Sequence, residues 1–169
     1  NHPAQADPEI ARATFKLHLD QLWATGRPSR LRWGRIDIDD MHTVIVLPGE
    51  REDGQRDWFF VKLGAEYYDA APPTAAFVDP KDWSEVGDNN RWFPLIENRP
   101  SWFGLHGAYG YPSGGQRQLI CCSMVAQFYM TDHSPNATEL WKQGQDTVAA
   151  TLSRIAEMLG PKHYRRPTA

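Results

Sequence analysis

Between residues 31 and 78 the apolar side chains fall into short runs with a two-residue period. Each run is cut off by proline, glycine or a block of charges, a pattern that fits antiparallel strands far better than helices. Trp33, Ile36 and Ile38 alternate with Arg35, Asp37 and Asp39. Thr43-Val44-Ile45-Val46-Leu47 forms a second run and Trp58-Phe59-Phe60-Val61-Lys62-Leu63 a third. Alternation sends successive side chains to opposite faces of a sheet. Residues 48–57 are too polar to bury and are expected to form the hairpin loop between the second and third strands. Pro72-Pro73 cannot donate to a ladder and forces an irregular crossing, after which residues 74–78 read as a short fourth strand.

Helical signals flank this meander. Asp7-Pro8-Glu9 combines a capping acid, proline in the first turn and an acid at the positive end of the dipole. Ile10, Ala13, Leu17 and Ala24, joined by Phe15, Leu19 and Leu22, carry a helical period as far as Gly26-Arg27-Pro28. A last helix is expected over residues 138–159, with Leu140, Trp141, Val148, Leu152, Ile155 and Leu159 on one face. Gly160-Pro161 stops it. Residues 162–167 read as a solvated basic tail. The expected class is α+β, one domain over residues 7–169 preceded by a flexible or trimmed tail at residues 1–6.

The 169 residues are 41% hydrophobic and include seven Trp, seven Phe and six Tyr, a composition that favours a folded core over disorder. A formal charge of −3 gives no basic footprint for nucleic acid, and no apolar run approaches the length of a membrane span. Residues 79–110 carry Trp83, Trp92 and Trp102 without a sustained period, and are expected to be a long packed loop. Residues 123–130 are apolar and read either as continued strand or as a short turn of helix. Residues 131–136 break that segment.

The only two cysteines are the adjacent Cys121 and Cys122, behind the turn-rich Tyr111-Pro112-Ser113-Gly114-Gly115. Neighbouring Cα atoms are about 3.8 Å apart, below the roughly 4.4–6.8 Å of an unstrained disulfide. Both thiols are therefore expected to be free, which fits a reducing cytoplasm. In an extended run one sulfur faces out and the other in, though spacing does not say which. A free cysteine is commonly a small buried hydrophobe. Two adjacent thiolates lack zinc-site spacing, so neither metal nor cofactor is expected. A thiol delivered from a turn-rich loop on a packed scaffold is also how a nucleophile is presented.

The order of helix, four-stranded meander, proline-rich crossing, cysteine loop and C-terminal helix resembles the fold of ubiquitin-conjugating enzymes. Local residues carry the resemblance. The third run, followed by Tyr68, Pro72, Pro73 and Phe77, is similar to that family's third strand, Tyr-Pro crossing and fourth strand, and Pro48-Gly49 with Gly54 sits where the family has a glycine-rich hairpin. The family's His-Pro-Asn motif begins ten residues before the cysteine of an Ile-Cys pair. Here Tyr111-Pro112-Ser113 stands at that spacing before Ile120-Cys121, keeping the proline and the Ile-Cys and losing the His and Asn. Residues 79–110 exceed the family's usual connection and look like an insertion over the active face. The doubled cysteine is similar to that of the bacterial conjugating-enzyme-like proteins of short CBASS antiphage operons.

That resemblance implies an enzyme that takes the C-terminal glycine of a partner protein, a cGAS-like nucleotidyltransferase or a ubiquitin-like modifier, as a thioester. It then passes the glycine to an amine, with or without a separate activating enzyme. Cys121 is the expected acyl acceptor, since a thiolate is a far better nucleophile than an alcohol at neutral pH. Cys122 is a buried neighbour, a second acceptor by thiol exchange, or the nucleophile itself, the first being favoured. Ser113 is the candidate donor to the oxyanion in place of the family's Asn. Tyr111 packs where the family's His supports the loop. Asp132 and His133 are candidates to orient or deprotonate the incoming amine, and His106 lies upstream. Two rival readings are a noncatalytic binding module of the same fold and a cysteine hydrolase pairing Cys121 with His106 or His133, which requires hydrogen-bond reach.

Overall fold

A computed structural model describes residues 3–133 and 138–169. The expected N-terminal tail begins at Asn1 and His2, outside the described residues, and at its inner end the Ala6 amide donates to the Glu66 carbonyl at 2.9 Å. Helix α1 (Pro8–Ala24) starts where its capping residues require, with the Asp7 carboxylate accepting from the Glu9 and Ile10 amides. Its packing face is Ala11, Phe15, Leu19 and Leu22, whereas Ile10 and Leu17 of the expected face are exposed. The i, i+4, i+8 spacing of Ala11, Phe15 and Leu19 is the narrower stripe, and the sheet selects it. A four-residue helix, α2 (Arg27–Arg30), follows Gly26.

Strands β1 (Gly34–Asp37), β2 (His42–Glu50), β3 (Arg56–Gly64) and β4 (Thr74–Phe77) form an antiparallel sheet in sequence order. The meander and its fourth strand are as the alternation implies. The β2–β3 hairpin is tighter than expected. Pro48, Gly49 and Glu50 pair with Trp58, Asp57 and Arg56, so only residues 51–55 turn. Gly49 is in the ladder because Phe59 and Tyr164 crowd it, and a Cβ there would lie 2.8 Å from the Phe59 ring.

The greatest departure lies in residues 79–110, which are not a structureless loop. They hold β5 (Pro94–Ile96) and β6 (Gly104–Gly110), and β6 pairs antiparallel with β7 (Gln116–Cys121). The supposed basic tail is strand β8 (Tyr164–Pro167), paired with β5, and Tyr164 is fully buried. The last helix, α3 (Val148–Met158), is half the expected length. Residues 138–147 are turns and irregular backbone, and Ser134 to Ala137 lie outside the described residues. Val148, Leu152 and Ile155 do face the core. Trp141 instead packs against Tyr68 and donates its indole N–H to the Asp69 carbonyl.

One apolar core runs from α1 through the sheet to α3 and takes in Phe93, Ile96 and Phe103 of the 79–110 segment. Two side chains hold the cysteine segment against the sheet. The Gln118 amide accepts from the Phe77 N–H at 2.7 Å and donates to the Phe77 and Val86 carbonyls, standing in for a missing neighbour strand at the edge of β4. Gln127, on the 3-10 turn at Ala126–Met130, accepts from the Ala75 amide. Through these contacts the end of β7 is fixed relative to the sheet.

Candidate functional site

Strand β7 ends at Cys121, where the Cys122 amide donates to the Ile120 carbonyl and closes a three-residue turn about the cysteine. The two sulfurs are free and divide as an extended run requires: Cys121 is partly exposed and Cys122 is 1% exposed, within the core. Burial raises the Cys122 thiol.

The β6–β7 register builds the surroundings of Cys121. Gly104 stands opposite Cys121 and His106 opposite Leu119, so His106 lies on the same face as the cysteine. One extra residue then enters β6 between His106 and Tyr109, and pairing resumes at Tyr109 with Arg117. In a regular strand, residues three apart point to opposite faces. The bulge puts both His106 and Tyr109 on the Cys121 face. Gly107 lies in the bulge because Asp88 presses against it, and a Cβ there would approach Asp88 to 2.6 Å.

From the other side comes His133, its ring stacked between Phe128 (centroids 5.5 Å apart) and Tyr109 (6.1 Å). The Thr131 hydroxyl donates its one proton to the Phe128 carbonyl at 2.7 Å. Towards His133 Nδ1, which it also meets, it can therefore act only as an acceptor. Nδ1 thus carries the proton of the neutral ring, and Nε2 presents its lone pair to Cys121 Sγ at 3.4 Å. Burial, with a smaller contribution from Cys122, pushes the Cys121 thiol up to about 11. At neutral pH the sulfur is protonated, and His133 Nε2 lies within reach of its proton.

Gly104, His106, Cys121, Phe128 and His133 line a cleft of about 300 Å³, completed by Ser101, Trp102, Phe103, Ser123 and Glu139. Arg154 lies over the Trp102 ring at 4.5 Å. Among the described residues, no group of three or more His, Cys, Asp or Glu is placed to hold a metal ion. A larger groove of about 590 Å³ on the outer sheet face holds His42, Glu66, Glu85 and Arg117. Its charges are largely paired with one another, His42 with Glu66 and Arg117 with Glu85, and it contains no cysteine.

The expected site residues therefore part company. Cys121 and His133 meet. Ser113 does not join them: it sits in the exposed turn where Tyr111 N–H donates to the Gly115 carbonyl, and Gly114 and Gly115 take positive φ angles of 107° and 78°. Five residues of strand separate that turn from Cys121, about 17 Å at 3.3–3.4 Å per residue, so Ser113 is out of reach of an oxyanion at the sulfur. Tyr111 is buried and donates its hydroxyl to the Gln118 carbonyl, which supports the hairpin. Asp132 is exposed and faces no partner of the cleft. Tyr109, Thr131 and Phe128 were not singled out in the sequence. The only hint of them there was the density of aromatic and hydroxyl residues on both sides of the cysteines.

Compared with protein-family models the chain matches none, and a comparison with curated proteins also finds no match. Fold and site together define an α+β protein, built on a four-stranded antiparallel sheet, whose cysteine-bearing hairpin presents a thiol to a stacked histidine.

Proposed function

We propose that this chain is a ubiquitin-conjugating-enzyme-like acyl carrier. Cys121 takes the C-terminal glycine of a partner protein, a cGAS-like nucleotidyltransferase of a short CBASS antiphage operon, as a thioester and hands it to an amine. The observation that carries this reading is the Cys121 Sγ to His133 Nε2 contact in an open cleft at the end of β7. The order of helix, meander, crossing, cysteine segment and last helix supports the resemblance on which the choice of partner rests.

A thiol and a free carboxylate do not condense in water, so the glycine must arrive activated, as an adenylate or as another enzyme's thioester. His133 Nε2 takes the Cys121 proton, sulfur attacks the carbonyl carbon, and the tetrahedral intermediate collapses with loss of the activating group. In the second step an amine attacks the thioester, a proton passes from it to a base of the cleft, and the Cys121 sulfur leaves and is reprotonated.

Incubation with the operon's nucleotidyltransferase, its activating components and ATP is the test. A thiol-sensitive adduct on nonreducing gels is expected, absent in Cys121→Ala and retained in Cys122→Ala. An adduct that survives Cys121→Ala would transfer the role to Cys122.

The same contact favours a second reading, a cysteine hydrolase, because a His held at a sulfur can next activate water. Partitioning of the acyl group decides between them. A carrier delivers it to added amine far faster than to water, and a hydrolase does the reverse. A noncatalytic binding module requires neither the histidine contact nor the cleft.

A further inference from the structure

We infer that His106 is the second catalytic group of this cleft, donating its ring N–H to the oxygen that becomes negative when Cys121 attacks a carbonyl. The inference rests on the acyl-carrier reading and deepens it by assigning the donor that the reaction requires. Attack on a carbonyl places a full charge on oxygen, and a donor fixed in advance at that point contributes more to rate than most other groups.

The expected donor, Ser113, is at the far end of the hairpin. The Cys122 amide, the backbone donor next to the nucleophile, is taken by the Ile120 carbonyl. His133 is the proton acceptor, with both ring nitrogens engaged. His106 is differently placed. It is exposed to the cleft, makes a ring contact with Tyr109 at 5.3 Å, and has no hydrogen-bond partner among the described residues.

Gly104 stands between the Cys121 and His106 side chains. It is paired with Cys121, and a Cβ built on it would lie 3.2 Å from Cys121 Cβ and 3.5 Å from His106 Nε2. The space between the cysteine and the His106 ring is therefore kept clear of any side chain from the residue paired with Cys121. Burial foremost, then the positive Arg99 and the nearby His133, lower the His106 pKa. A neutral imidazole keeps one N–H to give, and unlike an imidazolium it does not trap the product charge.

In the step itself, the Cys121 S–H proton passes to His133 Nε2 and the S–C bond forms. The carbonyl π pair moves onto oxygen, which accepts from His106. Collapse returns that pair, breaks the bond to the leaving group, and leaves a thioester on Cys121.

Two reagents separate the donor from the base without requiring the natural partner. p-Nitrophenyl acetate acylates a thiol through an oxyanion, whereas iodoacetamide alkylates it by displacement with no oxyanion. In the full chain, His106→Ala is expected to slow acetylation of Cys121 by about 100-fold. Its alkylation rate should stay within about twofold of the parent. His106→Asn, which keeps an N–H donor, should restore part of the acetylation rate. His133→Gln should slow both reactions. An equal loss of both reactions in His106→Ala, or of neither, overturns the assignment. If the parent protein is alkylated at Cys121 yet forms no acetyl thioester, the acyl-carrier reading itself falls, and the role of His106 with it.

Discussion

Two opposed influences act on the sulfur of Cys121: burial raises its pKa to about 11, and the His133 imidazole stands 3.4 Å away. The pH dependence of its reactivity follows. A group whose pKa is raised stays protonated until the pH climbs past the shifted value, so without the histidine alkylation should keep rising through pH 10. With His133 present the rate should be substantial already near neutrality. His133→Gln is expected to lose at least tenfold at pH 7.5 and to approach the parent only in strong alkali, as read by iodoacetamide kinetics with peptide mapping of Cys121. Thr131 acts one bond further out, as a positioning residue. Thr131→Val removes the acceptor that keeps the ring proton on Nδ1, and about a tenfold loss at neutral pH is expected, recovered in Thr131→Ser. Cys122 should stay silent in the native protein. Its replacement by Ala should cost about 1 kcal/mol of stability, since it removes one buried sulfur from a packed core.

Among the elements, β6 and β7 decide whether the site exists, and Gln118 is the buried side chain of β7 that ties them to the sheet. Gln118 bonds the Phe77 N–H and carbonyl and the Val86 carbonyl, so Gln118→Leu leaves the buried Phe77 N–H and the Val86 carbonyl without the partner it supplies, while the Phe77 carbonyl keeps the Val86 amide. A loss of about 2–4 kcal/mol in urea denaturation is expected, along with a slower reaction at Cys121 as the hairpin loosens. The same elements show where the sequence could be read and where it could not. Strands β1 to β4 are short β-rich runs cut off by proline, glycine or charge, and α1 carries its own cap, so they follow from local pattern. Strand β6 is Gly-Leu-His-Gly-Ala-Tyr-Gly. Three glycines remove the apolar signal and a bulge shifts its phase midway, so its period cannot be seen without the partner strand. Cys121 and His133 could be picked out as chemistry-bearing residues. Their meeting depends on the 3-10 turn and the stacking of Phe128 and Tyr109, which are tertiary. Spacing from the cysteine led to Ser113, whereas a longer hairpin places Gly104 and His106 there instead.

For the molecule as a whole, the C-terminal strand closes the fold and thereby supports the site at a distance. Strand β8 pairs with β5, at the start of the segment that continues into Phe103 and β6. Tyr164 on β8 packs its ring against Phe59 and donates its hydroxyl to Asp57, which also receives the Arg51 guanidinium. Burial opposes ionisation of Asp57, but the hydrogen bonds from Arg51 and Tyr164 outweigh it and hold the carboxyl below its ordinary range. An acid whose folded pKa lies below its unfolded value adds stability where it is ionised in both states, above about pH 4. That contribution is lost as the pH falls through the folded value. Asp57→Asn should therefore lower the urea midpoint at pH 7. The gap to the parent should shrink as the pH falls below about 4, because the parent loses its own carboxylate there. A gap that is constant with pH would mean that Asp57 acts by shape alone. Because β8 also anchors the segment leading to His106, Tyr164→Phe should slow acetylation of Cys121 where destabilisation loosens β5, even though Tyr164 lies outside the cleft.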